Sequence, residues 1–231
     1  APELLGAAAA ALLRDPARRT RLAIVILKEN LRLAGLVAGP DFALGKGRQG
    51  TVPVLQQLGA RLGFTVTVIA PQDMDGQPVS STSVRRALAD GDVRAVSILL
   101  DRPFATAGAV QPGDHRGRWL GYPTANLAPS TELALPADGI YATRASVNGN
   151  TYDAAAYIGT RPTFEGKERL VEVFLLDFDG DLYGKWMTVE WVDRVREDRT
   201  FGSADALREQ MGRDVSAARA VLGAQRAVAT G

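Results

Sequence analysis

The chain has 231 residues, 46% of them hydrophobic and 23% charged, which is the balance of a globular protein with one large or two modest domains. Lys and Arg number 27 against 26 Asp and Glu, so the net charge of +1 gives no general attraction for nucleic acid, and any phosphate site must be local. The absence of cysteine removes disulfides, thiol catalysis and cysteine metal sites, and the single histidine, His115, argues against a histidine triad or zinc centre.

The first residues, Ala1 to Leu13, are apolar and rich in alanine. The run is shorter than the ~20 residues that span a bilayer, and it lacks the basic start of a signal peptide. We interpret it as a helix or a trimmed end, and we expect a soluble, cytoplasmic protein without a membrane partner.

Up to about Leu100 the pattern alternates between helix and strand. The predicted elements are a helix over Leu27–Leu33, a strand over Leu36–Ala38, a glycine-rich loop over Pro40–Gly50, a helix over Val54–Leu62 ending at Gly63, a buried strand over Phe64–Ile69 and an amphipathic helix over Ser80–Leu100. This order favours a parallel α/β sheet.

After Arg102 and Pro103 short β-rich runs recur between turn residues. Strands are predicted over Phe104–Val110, Gly139–Val147, Thr151–Ile158, Leu170–Leu176 and Trp186–Val195. Asn148-Gly149 between two of them is a strong hairpin signal. A helix over Ser203–Leu222, capped by Ser203, closes the chain. The sequence therefore predicts two domains, an α/β domain over 1–102 and an antiparallel barrel or sandwich over 103–231.

The stretch from Gly108 to Asn126 carries the most chemical information. Its glycines let the backbone come close to a ligand, so that successive N–H groups can hold anionic oxygens; they include Gly113, Gly117 and Gly121. Arg116 and Arg118 add charge that suits phosphate. Composition alone slightly favours the alternative, a decorated hairpin turn.

Pro123-Thr124-Ala125-Asn126 follows directly. A threonine hydroxyl is a known Mg²⁺ ligand beside nucleotide phosphates, and Asn126 could hold Thr124 in place or meet the metal or the phosphates. Pro123 fixes the local backbone. The alternative is a Ser/Thr or Asx turn that joins two strands.

The run G-Y-P-T-A-N after a glycine-rich loop resembles the signature of the riboflavin kinase family. Further motifs of that family appear in the expected order between Pro103 and about Leu222: L-P-A-D-G-I-Y at 135–141, I-G-T-R-P-T-F at 158–164, the strand Val171–Glu172–Val173, Leu182–Tyr183–Gly184, and Arg196 with Phe201. Phe174 departs from the histidine common at that position.

The resemblance implies a six-stranded antiparallel Greek-key barrel with a C-terminal helix, which phosphorylates riboflavin to FMN with ATP and Mg²⁺. Glu172 would be the catalytic base, Thr124 the metal ligand, and Arg196 and Phe201 would lie beside the flavin. The ATP-binding residues would be Gly113, Arg116, Gly117, Gly121, Pro123, Thr124 and Asn126. Without the resemblance, Glu172 fits a solvated strand residue, and Arg196 fits a phosphate ligand or a surface ion pair.

Two stretches of the first region, Gly39–Gly50 and Val79–Arg85, resemble the FMN adenylyltransferase half of bifunctional bacterial FAD synthetases. The resemblance implies an incomplete Rossmann-like domain, with Asp41 and Phe42 near the flavin. The ATP phosphates would meet a helix start with its hydroxyls and a guanidinium, which are Ser80, Ser81, Thr82 and Arg85. The alternative for the serines and threonine is simple helix capping.

That family also carries a His-x-Gly-His motif, which a chain with one histidine lacks, and Ala1 to Ile26 shows no resemblance to it. We therefore predict an incomplete synthetase whose adenylyltransferase is inactive in this polypeptide. The alternatives are a fully bifunctional enzyme whose motif lies outside this chain, and a flavin- or nucleotide-binding module without catalysis. The retained Thr124, Asn126 and Glu172 favour an enzyme. Only small-molecule partners are expected, and the oligomeric state is left open.

Overall fold

The computed structural model describes residues 24, 27–74, 77–113, 116–130, 133–163 and 166–229. The chain forms two compact units, Ala1–Pro78 and Val79–Gly231.

The first unit is built on a pair of parallel strands. Strand β1 (Gly35–Ala38) pairs with β4 (Thr65–Val68), with Gly35 opposite Thr65. Between them lie β2 (Ala43–Leu44), a 3₁₀ turn (Lys46–Arg48), β3 (Gly50–Thr51) and helix α1 (Val52–Leu62), and the short strands β5 (Asp73–Met74) and β6 (Gln77–Pro78) follow. The parallel pair connected through α1 confirms the α/β character of this region.

Helix α1 ends as predicted at Gly63, whose φ of 73° is left-handed. Its buried Leu55 packs with Ile24 and Phe64 into a small core. Strand β4 differs from the prediction of a buried strand, because Val68 and the adjoining Ile69 are 39% and 51% exposed. Among the described residues β4 pairs with β1 alone, so its β-branched composition reflects strand propensity rather than burial.

The second unit begins with two helices where the sequence predicted one. Helix α2 (Ser81–Asp90) ends at Gly91, which has a φ of 77°, and α3 (Val93–Leu100) starts afresh. The Asp92 side chain caps α3 by accepting a 2.9 Å hydrogen bond from the Ala95 amide. A left-handed glycine followed by a capping aspartate therefore interrupts a continuous amphipathic pattern.

Both helices pack on the barrel that follows them. Val93 of α3 belongs to the barrel core, and Arg94 forms a 2.7 Å ion pair with Asp193. The Ala137 amide donates a 2.9 Å hydrogen bond to the Leu88 carbonyl at the end of α2. The compact units consequently divide before these helices.

Six antiparallel strands close the barrel in the order β10-β11-β8-β7-β12-β9. They are β7 (Phe104–Gln111), β8 (Ala125–Pro129), β9 (Gly139–Val147), β10 (Asn150–Thr163), β11 (Gly166–Leu175) and β12 (Trp186–Glu197). A short helix, α4 (Arg116–Trp119), precedes β8. The barrel confirms the implied fold. Strand β8 was missed by the sequence analysis because its residues, A-N-L-A-P, lack β-branched side chains.

The barrel interior is filled by aromatic and β-branched side chains. Tyr141 and Trp191 meet edge to face with 5.3 Å between ring centroids, and the Trp191 indole donates a 3.1 Å hydrogen bond to Thr106. The predicted hairpin is confirmed, since Asn148 and Gly149 connect β9 to β10 with φ values of 52° and 80°.

Helix α5 (Ala204–Ala229) closes the unit and runs past the predicted end at Leu222. The Ser203 hydroxyl accepts a 3.2 Å hydrogen bond from the Ala206 amide, which confirms the predicted cap. Ala218 and Leu222 are fully buried and pack against the outer face of the barrel. The helix thus covers one side of the barrel.

Candidate active site

A cavity of about 350 Å³ lies between the outer face of the barrel and α5. Val171 and Val173 point into the barrel core, so the alternation of β11 turns Glu172 and Phe174 toward this cavity. The remaining lining residues are Gly117, Leu120, Tyr122, Thr124, Ile140, Ala155, Ala156, Tyr157, Arg196, Asp198, Arg199, Phe201, Leu207, Met211, Asp214 and Val215. We call this space the helix-side cavity.

Thr124 and Glu172 meet at the edge of the helix-side cavity. The Thr124 hydroxyl donates a 3.2 Å hydrogen bond to Glu172 Oε2, although the residues are 48 positions apart. The contact follows from the pairing of β8 with β11, in which Asn126 lies opposite Glu172. Glu172 is therefore a half-buried cavity residue rather than the solvated strand residue that composition alone allowed.

A second cavity, of about 540 Å³, also borders Thr124. Gly117 and Thr124 line both cavities, so the two spaces meet at these residues. The others around it are Val110, Pro123, Ala125, Leu175, Phe178, Asp179, Gly180, Asp181, Leu182 and Tyr183. We call this space the loop-side cavity, because residues 178–183 form one of its walls.

Two glycines of the predicted phosphate loop are required by close packing. A Cβ at Gly113 would overlap the Asn126 amide, with Asn126 Cγ only 2.5 Å away. A Cβ at Gly117 would collide with the Tyr122 carbonyl oxygen and lie 3.2 Å from Thr124 Oγ1. These positions keep the loop backbone against the residues around Thr124.

We predict that Gly113→Ala destabilises the protein by about 1–3 kcal/mol, because the added methyl displaces the Asn126 side chain. The matched control is Gly223→Ala in α5, where a Cβ meets nothing within 4 Å and a helical alanine is expected to stabilise by about 0.5–1 kcal/mol. Thermal unfolding of both variants tests this. Equal melting temperatures for Gly113→Ala and wild type would contradict it.

Arg196 lies on the wall of the helix-side cavity with its guanidinium held by α5. Its Nε and Nη2 donate to the two carboxylate oxygens of Asp214 at 2.9 and 2.7 Å. Arg196 and Arg199 lie over the Phe201 ring, 5.7 and 4.8 Å from its centroid. The sequence alone is compatible with a phosphate ligand or a surface ion pair at Arg196. The structure gives it a buried, bidentate carboxylate partner.

Tyr157 faces Glu172 across the β10–β11 ladder and lines the same cavity. Its hydroxyl donates a 3.3 Å hydrogen bond to Asp198 Oδ2. Burial, followed by the negative charge of Asp198, raises the pKa of Tyr157 to about 12. The phenol therefore stays protonated and remains a hydrogen-bond donor throughout the neutral and mildly alkaline range.

The other residues predicted for the phosphate site lie between Arg116, the first residue of α4, and Pro123, just before β8. Gly121, with a φ of 84°, turns the chain between α4 and β8, and Pro123 lines the loop-side cavity. Arg116 opens α4, but its side chain is outside the described atoms, and His115 lies outside the described residues.

The adenylyltransferase-like residues occupy different units. Asp41 and Phe42 lie in the first unit, in a turn where the Phe42 amide donates to the Gly39 carbonyl and Arg48 donates to the Asp41 carbonyl at 2.6 Å. The others, Ser80, Ser81, Thr82 and Arg85, form the exposed start of α2 in the second unit.

Ser80 is the N-cap of α2. Its hydroxyl accepts a 3.1 Å hydrogen bond from the Ser83 amide, and Ser83 returns the contact to the Ser80 amide in a capping box. Arg85 contacts the Ser81 carbonyl at 3.5 Å. Local capping therefore accounts for the observed contacts of this motif.

Several cavity residues were missed by sequence analysis, chiefly Tyr157, Asp198, Arg199 and Asp214. A signal existed for Asp214, because it is a charged residue within a stripe of α5 that is otherwise apolar or alanine at helical spacing: Leu207, Met211, Val215, Ala218 and Leu222. Tyr157 carried no such signal, since a tyrosine in an alanine-rich strand is ordinary core composition.

The described part of the chain contains no helix with the length and apolarity needed to cross a membrane. The model of the riboflavin kinase family matches residues 100–222, which is more than half of the chain. The chain belongs to the riboflavin kinase family. A second model, that of FAD synthetase, matches residues 20–83 and so starts within the segment where motif comparison found no resemblance.

Relatives in this family carry both activities in their names. A bifunctional riboflavin kinase/FMN adenylyltransferase of Pseudomonas fluorescens is 41% identical over 197 residues, which cover 85% of this chain and 63% of the relative. The protein of the same name from Escherichia coli K12 is 39% identical over 199 residues, covering 86% and 63%. The chain therefore spans less than two thirds of the length of these relatives.

A solved structure described as a macrolide-efflux protein from Streptococcus pneumoniae has the same fold. It superposes with a TM-score of 0.71 at 35% identity, over 80% of this chain and 60% of that one.

Proposed function

We propose that residues 103–231 transfer the γ-phosphate of ATP to riboflavin to make FMN. The observation that carries the proposal is the Thr124–Glu172 hydrogen bond at the place where two cavities meet. Phosphoryl transfer needs two substrates that approach one point, with a proton acceptor on the side of the attacking hydroxyl. Membership in the riboflavin kinase family supports riboflavin as the acceptor.

The two cavities suit different substrates. The helix-side cavity contains Glu172 and the Phe201 ring, so we assign it to the flavin and its primary hydroxyl. The loop-side cavity is lined by Gly117 of the glycine-rich loop together with Pro123 and Thr124, and we assign it to the nucleotide. This arrangement brings the γ-phosphate to Thr124 and the attacking hydroxyl to Glu172.

Glu172 acts as the general base in this proposal. A primary alcohol is a weak nucleophile, and a carboxylate within hydrogen-bond reach accepts its proton during attack. An ionised carboxylate has about four acceptor positions, so the hydrogen bond from Thr124 is compatible with this role. Thr124 in turn fixes the orientation of the carboxylate, and most of the rate enhancement comes from positioning and charge neutralisation.

The oxygen atoms of Thr124 and Glu172 are of the kind that Mg²⁺ prefers as ligands. Thr124 donates its hydroxyl hydrogen to Glu172, so the lone pairs of Oγ1 face other directions and can meet a hard cation. A bound Mg²⁺ would be carried mainly by water and substrate phosphates, with few protein ligands. When bound, Mg²⁺ neutralises charge on the transferred phosphoryl group.

The test of the function is chromatographic. The protein is mixed with riboflavin, ATP and Mg²⁺, and FMN is resolved from riboflavin. Time-dependent FMN with matching loss of ATP supports the proposal, whereas riboflavin binding without FMN would establish the non-catalytic flavin-binding alternative. The efflux described for the Streptococcus pneumoniae neighbour is not extended to this chain, because both family models and both relatives point to flavin chemistry.

We further propose that the region matching FAD synthetase descends from an FMN adenylyltransferase, with Asp41 and Phe42 toward the flavin and the α2 start toward ATP. The sequence has one histidine and therefore no His-x-Gly-His motif. We predict that this polypeptide, supplied with FMN, ATP and Mg²⁺, forms no FAD under conditions in which it phosphorylates riboflavin. Chromatographic detection of FAD above the protein-free control would refute this.

A further inference from the structure

A hydrogen-bond network, which we call the brace, connects Asp214 and Gln210 of α5 to Arg196 of β12 and to Arg199. Asp214 is 5% exposed and holds Arg196 through two hydrogen bonds. Gln210, one helical turn earlier, donates a 2.8 Å hydrogen bond to the same carboxylate and accepts one from Arg199. One buried carboxylate thus holds Arg196 directly and Arg199 through an amide.

The two arginines are placed against a single ring. Both guanidinium groups lie over Phe201, and all three side chains line the helix-side cavity. Guanidinium groups that stack on an aromatic face present a planar surface with hydrogen-bond donors at its edge. Such a surface suits a flat heteroaromatic ring with carbonyl oxygens, provided that its parts keep a fixed geometry.

Stability alone does not account for the brace. Burying an ion pair removes two charges from water, so its net contribution to folding is small even when the geometry is good. Asp214 also occupies a position in the α5 stripe where an apolar residue would pack against the barrel. The carboxylate is therefore better explained by the geometry that it imposes on Arg196 and Arg199.

We propose that Asp214 is a positioning residue for the flavin, acting through Arg196 directly and through Gln210 on Arg199. It links a helix outside the barrel to the wall where the planar ring binds. The proposal rests on the assignment of the helix-side cavity to riboflavin, and it adds a determinant of flavin affinity that makes no contact with the nucleotide.

Three variants of the full chain test the proposal. Asp214→Asn removes the charge that holds Arg196, and Gln210→Met cuts the connection to Arg199 at a partly exposed site. Asp153→Asn is the matched control, because Asp153 also pairs α5 with the barrel, through Arg226, and neither residue is among those described as lining either cavity.

The KM for riboflavin is expected to rise about tenfold or more in Asp214→Asn and less in Gln210→Met, because misplaced binding groups weaken substrate positioning. The KM for ATP stays within about twofold of wild type in both, and Asp153→Asn leaves both constants near wild type. The proposal would be overturned if the KM values for riboflavin and ATP rose together. It would also be overturned if the melting temperature fell while both KM values stayed unchanged.

The test stays decisive if a variant fails to fold or if the wild-type protein is inactive. If Asp214→Asn does not fold, the riboflavin KM of Gln210→Met decides, and an unchanged value refutes the proposal. If the wild-type protein makes no FMN, the proposed function fails separately, and riboflavin Kd values from fluorescence quenching still test the brace. Equal Kd values for Asp214→Asn and Asp153→Asn would then reject it.

Discussion

Replacing Glu172 by alanine is expected to abolish FMN formation, with a fall in kcat of about 10²–10⁴-fold, while ATP binding stays nearly intact. A fall in kcat of this magnitude is expected when a general base is removed, because the primary hydroxyl then has no positioned acceptor for its proton. Glu172→Gln separates this effect from packing, since its amide oxygen can still accept the hydrogen bond from Thr124. Both variants should be equally inactive.

The measurements are steady-state FMN production and ATP titration with each variant. Glu209→Gln is a suitable control, because that carboxylate is exposed on α5 in a pair with Arg213, and exposed pairs contribute little. Activity of Glu172→Ala within tenfold of wild type would rule out Glu172 as the base. Recovery of activity in Glu172→Gln alone would show that the residue acts through shape rather than through proton transfer.

Replacing Thr124 by valine is expected to raise the Mg²⁺ concentration needed for half-maximal activity by about tenfold or more, in the range found when groups supporting a metal site are removed. Valine keeps the shape of threonine but lacks the hydroxyl that would meet the ion. The same change removes the hydrogen bond to Glu172, so kcat at saturating Mg²⁺ should also fall.

Thr124→Ser keeps the hydroxyl and is the matched control, with a Mg²⁺ titration close to that of wild type. The titration is followed by FMN production and, independently, by binding of ATP at each Mg²⁺ concentration. An unchanged titration in the valine variant would rule out metal ligation by Thr124. A lower kcat with an unchanged Mg²⁺ requirement would leave Thr124 as a residue that only orients Glu172.

Local signals in the sequence predicted most of the secondary structure. Alternation of apolar and polar residues predicted the long strands, and Asn148-Gly149 predicted the hairpin. Gly63 and Ser203 predicted helix ends. These signals can be found in the sequence because each depends only on neighbours within a few residues. The errors have the same origin. Strand β8 lacks β-branched residues, and the break at Gly91 was hidden by an amphipathic pattern that continues through it.

The candidate site could be predicted only where an ordered motif pointed to it. Thr124, Glu172, Arg196 and Phe201 were identified through family resemblance, and the structure places all four on one cavity. Asp214 was missed because its partner Arg196 lies 18 positions away, on a strand whose packing against α5 no local pattern encodes. The roles proposed for these residues remain predictions until the variants are measured.

The sequence by itself determined that a phosphate site must be local, that the second region is β-rich, and that ordered motifs connect it to riboflavin kinases. Only the tertiary structure decided that Glu172 faces a cavity and touches Thr124, since both sides of a strand are compatible with the same alternation. It also decided that Arg196 has a buried carboxylate partner. The reason is physical: a side chain's chemistry depends on its charge partners and on its exclusion from water, and residues distant in the chain supply both.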